Sequence, residues 1–288
     1  MPLFHCPLGA GFYEGKGCIK CGLCQAKSKE EAVAASKIMR EYLRSHATDR
    51  QRLYVIKKIA VCGKGGVGKS TITSLMATTL EEYGYKVIVI DTDESNPGLY
   101  RQFGFPAQPR PLISLLSRFS NCEPTHNTEW FNLDSIHIED IPSEFVLQKG
   151  NLFFMMVGKI EDPFQGCACT MADVTRELIK KLYIEEKQIV ITDQEAGIES
   201  FGRGVEQGVD TVLTIVEPSF ESMALAEKIC YMAEGIGVGR IRAILNKIPS
   251  NKIEDKVIDE LIDKNIRYLG AVHIDPEVSA ASLMGLAI

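Results

Sequence analysis

From Lys57 onward the chain alternates short, almost uninterrupted apolar runs with amphipathic stretches. Ile59-Ala-Val-Cys62 is followed by a glycine-rich loop and a helical pattern over roughly 70–83. Lys86–Asp91 (KVIVID), Gln188–Asp193 (QIVITD), Thr211–Val216 and Ile241–Asn246 repeat the apolar type, and Arg267–His273 closes the series. Amphipathic segments around 219–235 and 252–264 separate the later runs. Apolar strands divided by helices predict an α/β fold, a mostly parallel sheet with helices on both faces. Residues 105–165, punctuated by Pro106, Pro109, Pro111, Pro124 and Pro142, read as an irregular insertion. Ahead of the series, residues 6–24 form a Cys- and Gly-rich loop. A helix is predicted from Ser28 to about Ser45, with Val33, Ile38 and Leu43 on its pattern and Glu30 and Glu31 in its first turn. The expected division is a leader, 1–56, and an α/β domain, 57–288.

Gly63-Lys-Gly-Gly-Val-Gly-Lys69-Ser70 satisfies G-x-x-x-x-G-K-[ST] directly after one predicted strand and directly before a predicted helix. That context specifies a P-loop NTPase. Gly63, Gly65, Gly66 and Gly68 let the backbone, Val67 included, wrap the phosphates of ATP or ADP with its N–H groups inward. Lys69 is placed to reach the β and γ oxygens, Ser70 to ligate Mg²⁺, and Thr71 to touch the α-phosphate.

The additional Lys64 makes the loop resemble the deviant Walker A ATPases, the class of MinD, ParA, the nitrogenase iron protein and the CooC-type maturation ATPases. The resemblance implies an ATP-dependent homodimer in which Lys64 reaches the partner's nucleotide and stabilises charge on the transferred phosphoryl group. It further implies that Asp91, ending a strand, acts near Mg²⁺ and that Asp93 orients the attacking water. Asp193, in Asp193-Gln-Glu-Ala-Gly197, matches the carboxylate behind Mg²⁺, and Gly197 lies near the γ-phosphate. Asn246 resembles the adenine-reading residue of the class, with Pro276 a neighbour of the base. An aspartate at a strand end is commonly only a turn residue. Here three such signals converge on the carboxyl edge of one predicted sheet, where ligands bind.

The 288 residues are 45% apolar and 24% charged, with a net charge of −6. This composition excludes disorder as the main state, and the acidic balance argues against nucleic-acid binding. No apolar run approaches the roughly 20 residues that cross a bilayer, and the N-terminus lacks the pattern of a signal peptide. The expectation is a cytoplasmic protein with neither nucleic-acid nor membrane partners. Charge is uneven: residues 1–58 carry eleven Lys/Arg and five Asp/Glu, a net of +6, leaving −12 for the remainder.

Nine cysteines, clustered in a chain expected in a reducing compartment, point to metal or redox chemistry rather than disulfides. Cys167-Ala-Cys169 precedes Thr170-Met-Ala-Asp173, which reads as an N-cap and capping-box variant. The helix behind it carries Val174, Leu178 and Leu182. In an extended stretch both thiols point to one side, and a helix N-terminus favours their thiolates. Two thiolates do not complete a tetrahedral site. Two copies across a dimer axis supply Cys₄, suited to Zn²⁺, Ni²⁺ or an iron–sulfur cluster; the bland reading is a pair of incidental thiols.

The combination of GKGGVGKS, Cys-x-Cys before a helix, Asp193-x-Glu-Ala-Gly, Gly202-Arg-Gly204 and Val216-Glu-Pro218 resembles the CooC-type ATPases over residues 57–288. That family matures nickel carbon monoxide dehydrogenase, with related members serving acetyl-CoA synthase. The resemblance implies a homodimer carrying nickel at the shared Cys₄ site for insertion into the apo-enzyme. Glu94 and Ser95 depart from the Asp-Ala-Asp-Pro of many members.

In the leader, Cys18-x₂-Cys21-x₂-Cys24, with Cys6 before Pro7, has the spacing of a [4Fe–4S] loop; zinc and unliganded thiols are the alternatives. His5 reads as solvent-facing. The leader is also similar to that of the Mrp/Nbp-type scaffold ATPases, whose C-terminal Cys-x₂-Cys is missing here. Cys62, Cys122 and Cys230 stand alone and read as core thiols. Two other functions compete with nickel insertion. One is an ATP-gated iron–sulfur reductase or scaffold with a bridging cluster at Cys167/Cys169. The other is a ParA/MinD-like positioning switch, which the C-terminal SAASLMGLAI, without a basic amphipathic helix, disfavours.

Overall fold

The computed structural model describes residues 56–94, 98–115, 128–158 and 168–287. The leader with its predicted helix lies outside them, as do Cys122 and Cys167. From Ile56 on, the chain forms one compact unit.

The chain runs β1 (Lys58–Gly63), α1 (Lys69–Glu82), β2 (Lys86–Asp91) and a short α2 (Leu99–Gln102). Among the described residues it then passes through three 3₁₀ turns into β3 (Leu147–Lys149), β4 (Leu152–Met156), α3 (Ala168–Lys181), β5 (Gln188–Asp193) and α4 (Glu199–Gly202). β6 (Thr211–Val216), α5 (Phe220–Gly235), β7 (Arg240–Ile248), α6 (Asn251–Asp263), β8 (Tyr268–His273) and α7 (Pro276–Met284) complete it. Among the described residues eight strands lie in the order β3-β4-β2-β5-β1-β6-β7-β8, all parallel except β3, which pairs antiparallel with β4.

Successive strand side chains alternate between the faces, and both are buried. Ile59, Val61, Val87, Val89, Leu213 and Ile215 pack on one face with Ile72 and Ala77 of α1 and Leu99 and Tyr100 of α2. Ala60, Cys62, Ile88, Ile90 and Val190 pack on the other with Leu178 and Ile179 of α3 and Ile229 of α5. A third cluster joins β7 to α6 through Leu245, Val257 and Leu261. Each fully buried Val, Leu or Ile among them stabilises the fold by about 1.5–3 kcal/mol.

The register sets the site. Val61 of β1 and Asp91 of β2 both stand opposite Asp193 of β5, and Gly63 stands opposite Ile215 of β6. Two carboxylates and the start of the glycine loop therefore emerge side by side from the carboxyl edge.

The structure corrects two expectations. The segment 105–165 is not wholly irregular, because β4 (LFFMM) is a fully buried strand beside β2. Five consecutive apolar residues there complete the sheet behind the proline-rich connection. The helix after Cys-x-Cys begins at Ala168, so Cys169 belongs to its first turn and Thr170 is not the N-cap. The extended geometry expected at Cys169 is therefore absent.

Candidate nucleotide site and thiol pair

β1 delivers the chain into the loop at Gly63, whose φ is +149°. A Cβ there would stand 2.7 Å from the carbonyl oxygen of Ile215. Any other residue would force β1 and β6 apart. Gly68, at φ +94°, caps α1 without a side-chain hydrogen bond, and a helix N-terminus of this kind favours an anion. In contrast, the Ser219 hydroxyl fills the corresponding place on α5 by accepting from Ser222 N–H at 3.3 Å.

The far side of the loop is held by β7. Asn246 Nδ2 donates to the Val67 carbonyl at 2.8 Å, and Lys247, itself at φ +56°, donates to the Gly66 carbonyl. Asn246 therefore clamps the P-loop backbone while also lining the adjoining cavity. Gly65 faces the loop after β5, its position 3.7 Å from Ala196 Cβ for an added carbon. Gly197 N–H donates to Gly63 O at 3.2 Å, tying that loop to the end of β1.

Ser70 Oγ donates to Asp193 Oδ2 at 2.6 Å, and Thr73 Oγ1 donates to Oδ1 at 3.4 Å. This hydroxyl–carboxylate pair fits a Mg²⁺ ion brought with ATP: the serine oxygen can turn to the metal while the carboxylate stays behind it. Asp91 Oδ1 accepts from Asp93 N–H at 3.1 Å, and both aspartates are buried. Lys69 is buried, its Nζ 3.5 Å from the Lys64 carbonyl. Lys64 Nζ pairs with Glu217 Oε1 at 3.2 Å, within the same chain.

A cavity of about 520 Å³ opens beside the loop, lined by Thr71, Leu75, Asn246, Val272, Ile274 and Val278 among others. Its size and mixed lining fit a nucleoside. Pro276 opens α7 between Asp275 and Val278, which both line the cavity.

The thiols divide. Cys167, Cys6, Cys18, Cys21 and Cys24 lie outside the described residues, and Cys169 is placed only by its backbone in the first turn of α3. Among the described residues no group of three or more His, Cys, Asp or Glu forms a metal site. Burial pushes the Cys62 thiol well above the ordinary range, with the Glu206 charge adding to it. Cys230 is pushed up to about 11, chiefly by burial. Both stay protonated, as core thiols do.

Several site residues carry no local sequence signal. Glu217 sits within Val216-Glu-Pro218, yet its role depends on Lys64, 153 positions away. Glu206 is buried, with Oε1 accepting from Ser200 Oγ at 2.5 Å and Oε2 without a hydrogen-bond partner among the described residues.

A strand, a glycine loop and a helix N-terminus without a side-chain cap, with a Ser–Asp pair beside them, define a P-loop nucleotide hydrolase. The chain belongs to the CobQ/CobB/MinD/ParA nucleotide binding domain family, which matches residues 58–288. It is an ATPase of that family. It is 36% identical over 235 residues to an uncharacterized ATP-binding protein, MJ0084, of Methanocaldococcus jannaschii, covering 79% of this chain and 92% of that one. It is 32% identical over 235 residues to the carbon monoxide dehydrogenase accessory protein CooC of Rhodospirillum rubrum, covering 80% and 88%. The fold matches MinD of Pyrococcus horikoshii complexed with Mg-ADP at a TM-score of 0.59, with 15% identity over 80% of this chain and 86% of that one.

Proposed function

We propose that the protein is an ATP-dependent homodimeric metallochaperone. It takes Ni²⁺, or Zn²⁺, as cargo at Cys167 and Cys169 of two subunits and supports nickel insertion into carbon monoxide dehydrogenase or a related nickel–iron–sulfur enzyme. The observation that carries the reading is the likeness to CooC along 235 residues, in a chain whose Cys169, two positions after Cys167 in sequence, falls in the first turn of α3. Four thiolates from two chains make a soft tetrahedral set, and helix N-terminal amides favour the deprotonated sulfurs.

In this reading ATP acts first as a ligand that joins two protomers. Lys69 and the α1 amides hold the phosphates, and Ser70 and Asp193 position Mg²⁺. Lys64 leaves Glu217 for the partner's nucleotide. Asp93 then orients a water whose oxygen bonds to the γ-phosphorus as the bond to the β–γ bridging oxygen breaks, giving ADP and phosphate. Loss of the γ-phosphate separates the protomers and changes the geometry offered to the metal. The leader's Cys6, Cys18, Cys21 and Cys24 would hold a [4Fe–4S] cluster.

The test is reconstitution of apo carbon monoxide dehydrogenase with limiting Ni²⁺. The wild type should speed activation in an ATP-dependent way, and Cys167→Ser/Cys169→Ser should not. Equal activation by both proteins would remove the proposal.

A further inference from the structure

Between the phosphate site and the head of α3 runs the loop 194–208. One end is fixed to the nucleotide site: Gln194 N–H donates to Val61 O at 3.1 Å and Gly197 N–H to Gly63 O at 3.2 Å. Its other end meets α3. The short helix α4 stops at Arg203, whose carbonyl is one of the orphan acceptors that any helix C-terminus leaves. Arg176, on α3, fills that acceptor: its Nη1 donates to Arg203 O at 2.7 Å, while its Nη2 is held by Asp173 one turn earlier. A cation at a helix C-terminus is favoured by the dipole as well as by the hydrogen bond.

The surrounding contacts keep this junction tight. Met171, Ala172 and Thr175 of α3 share a small cavity wall with Gln194, Ser200 and Arg203. Lys180 Nζ reaches Gln207 Oε1 at 3.2 Å. A Cβ on Gly208 would come within 3.3 Å of both Ile179 and Lys180. Arg203 in turn reaches back along the loop to Glu195 at 3.2 Å. Cys169 precedes Arg176 by seven residues, two helical turns or about 10 Å along the axis. A helix two turns long moves as one body, so a shift at Arg176 is delivered at Cys169.

We propose that Arg176 is a positioning residue that couples nucleotide state to the thiol pair. Its bond to the Arg203 carbonyl makes α3 follow the loop 194–208 when the γ-phosphate is gained or lost. This rests on the reading of Cys167 and Cys169 as a metal site, and it names the lever by which ATP acts on that site. The loop alone senses nucleotide, and α3 alone carries the sulfur; Arg176 joins them. Coupling of this kind is reciprocal, so bound metal must also change nucleotide affinity by the same factor.

The test uses the full-length protein and Zn²⁺ as the probe metal, its affinity read by competition with a chromophoric chelator. Measurements are made with ADP and with a non-hydrolysable ATP analogue. The wild type should show a ratio between the two affinities on the order of tenfold, within the usual range of allosteric coupling. Arg176→Leu should bring that ratio to within about twofold of one while ADP affinity is retained, and Arg176→Lys should restore part of it. Asp173→Asn, which only loosens the guanidinium, should give an intermediate ratio. Amide hydrogen exchange of residues 170–182 gives a second readout. Its protection should depend on nucleotide in the wild type and not in Arg176→Leu. A wild-type ratio and wild-type exchange in Arg176→Leu would overturn the proposal. Nucleotide-dependent exchange lost in Arg176→Leu, in a protein whose Zn²⁺ binding ignores Cys167→Ser/Cys169→Ser, would keep the lever and overturn the metal reading.

Discussion

Lys64 Nζ lies 3.2 Å from Glu217 Oε1 of its own chain, so the lysine that the family likeness sends to a partner's nucleotide is here neutralised at home. Lys247 stands 4.0 Å from the other oxygen of the same carboxylate. In the proposed homodimer a second chain would compete with Glu217 for Lys64. The pair is partly exposed, and such pairs are worth about 0–1 kcal/mol. Glu217→Gln is expected to tighten ATP-dependent dimerisation by about two- to fivefold, whereas Lys64→Ala abolishes it. Sedimentation velocity with ATP and without it measures both.

Ser70 and Asp193 form the hydroxyl–carboxylate pair that would hold Mg²⁺ beside the loop in the proposed mechanism. Asp193→Asn and Ser70→Ala are expected to lower kcat by about 10²–10³, since each removes a group that positions the metal against developing charge. Steady-state phosphate release at a Mg²⁺ concentration that just saturates the wild type reads the effect. Raising Mg²⁺ further should recover part of the loss in Ser70→Ala and little in Asp193→Asn.

The P-loop is held from behind by Asn246. Gly68→Ala would put a methyl group against the Asn246 amide and ask alanine for φ +94°. Backbone strain of this kind costs about 1–3 kcal/mol. Nucleotide affinity should fall about five- to a hundredfold, read by titration of a fluorescent ADP. Asn246→Asp replaces the donor to Val67 O by a carboxylate oxygen and should weaken binding in the same direction.

Burial raises the Glu206 carboxyl above its ordinary range, and the Ser200 hydrogen bond only partly opposes this. The native state thus holds the proton more tightly than the unfolded chain does. Stability from the protonated form is complete below the ordinary glutamate value, falls as pH rises through the raised one, and levels off above it. Glu206→Gln stays neutral throughout. Its stability should match the wild type in acid and exceed it toward neutral pH, by about 1.4 kcal/mol for each tenfold by which folding tightens the carboxyl's hold on its proton. Urea unfolding of the nucleotide-free protein across about pH 4–8 checks this, and parallel curves would count against it.

The runs that form β1, β2, β5 and β6 are apolar on both faces, and their bounds are legible almost to the residue. The same holds for α1, α5 and α6, whose periodic patterns end within a residue or two of the observed helices. β4 escapes because LFFMM contains no β-branched residue and sits in a proline-dotted stretch, where a buried strand and a collapsed loop look alike. The start of α3 escapes because Thr170 and Asp173 mimic a cap that the chain passes over. The loop 63–71 is legible because its chemistry is local. Glu217, Arg176 and Glu206 act through partners 153, 27 and six positions away, and side-chain type alone does not announce such pairings.

Whether the chain is a metal carrier is decided by the metal content of the thiol pair. Nickel, zinc, iron and acid-labile sulfide are measured per chain after anaerobic purification and reloading with Ni²⁺ and ADP, in the wild type and in Cys167→Ser/Cys169→Ser. A Cys₄ site shared by two subunits should hold about half an ion of nickel or zinc per chain in the wild type. The variant should lose that metal and keep its iron and sulfide. Loss of iron and sulfide together would place a cluster at the pair and contradict the carrier function, as would nickel binding unchanged by the substitutions.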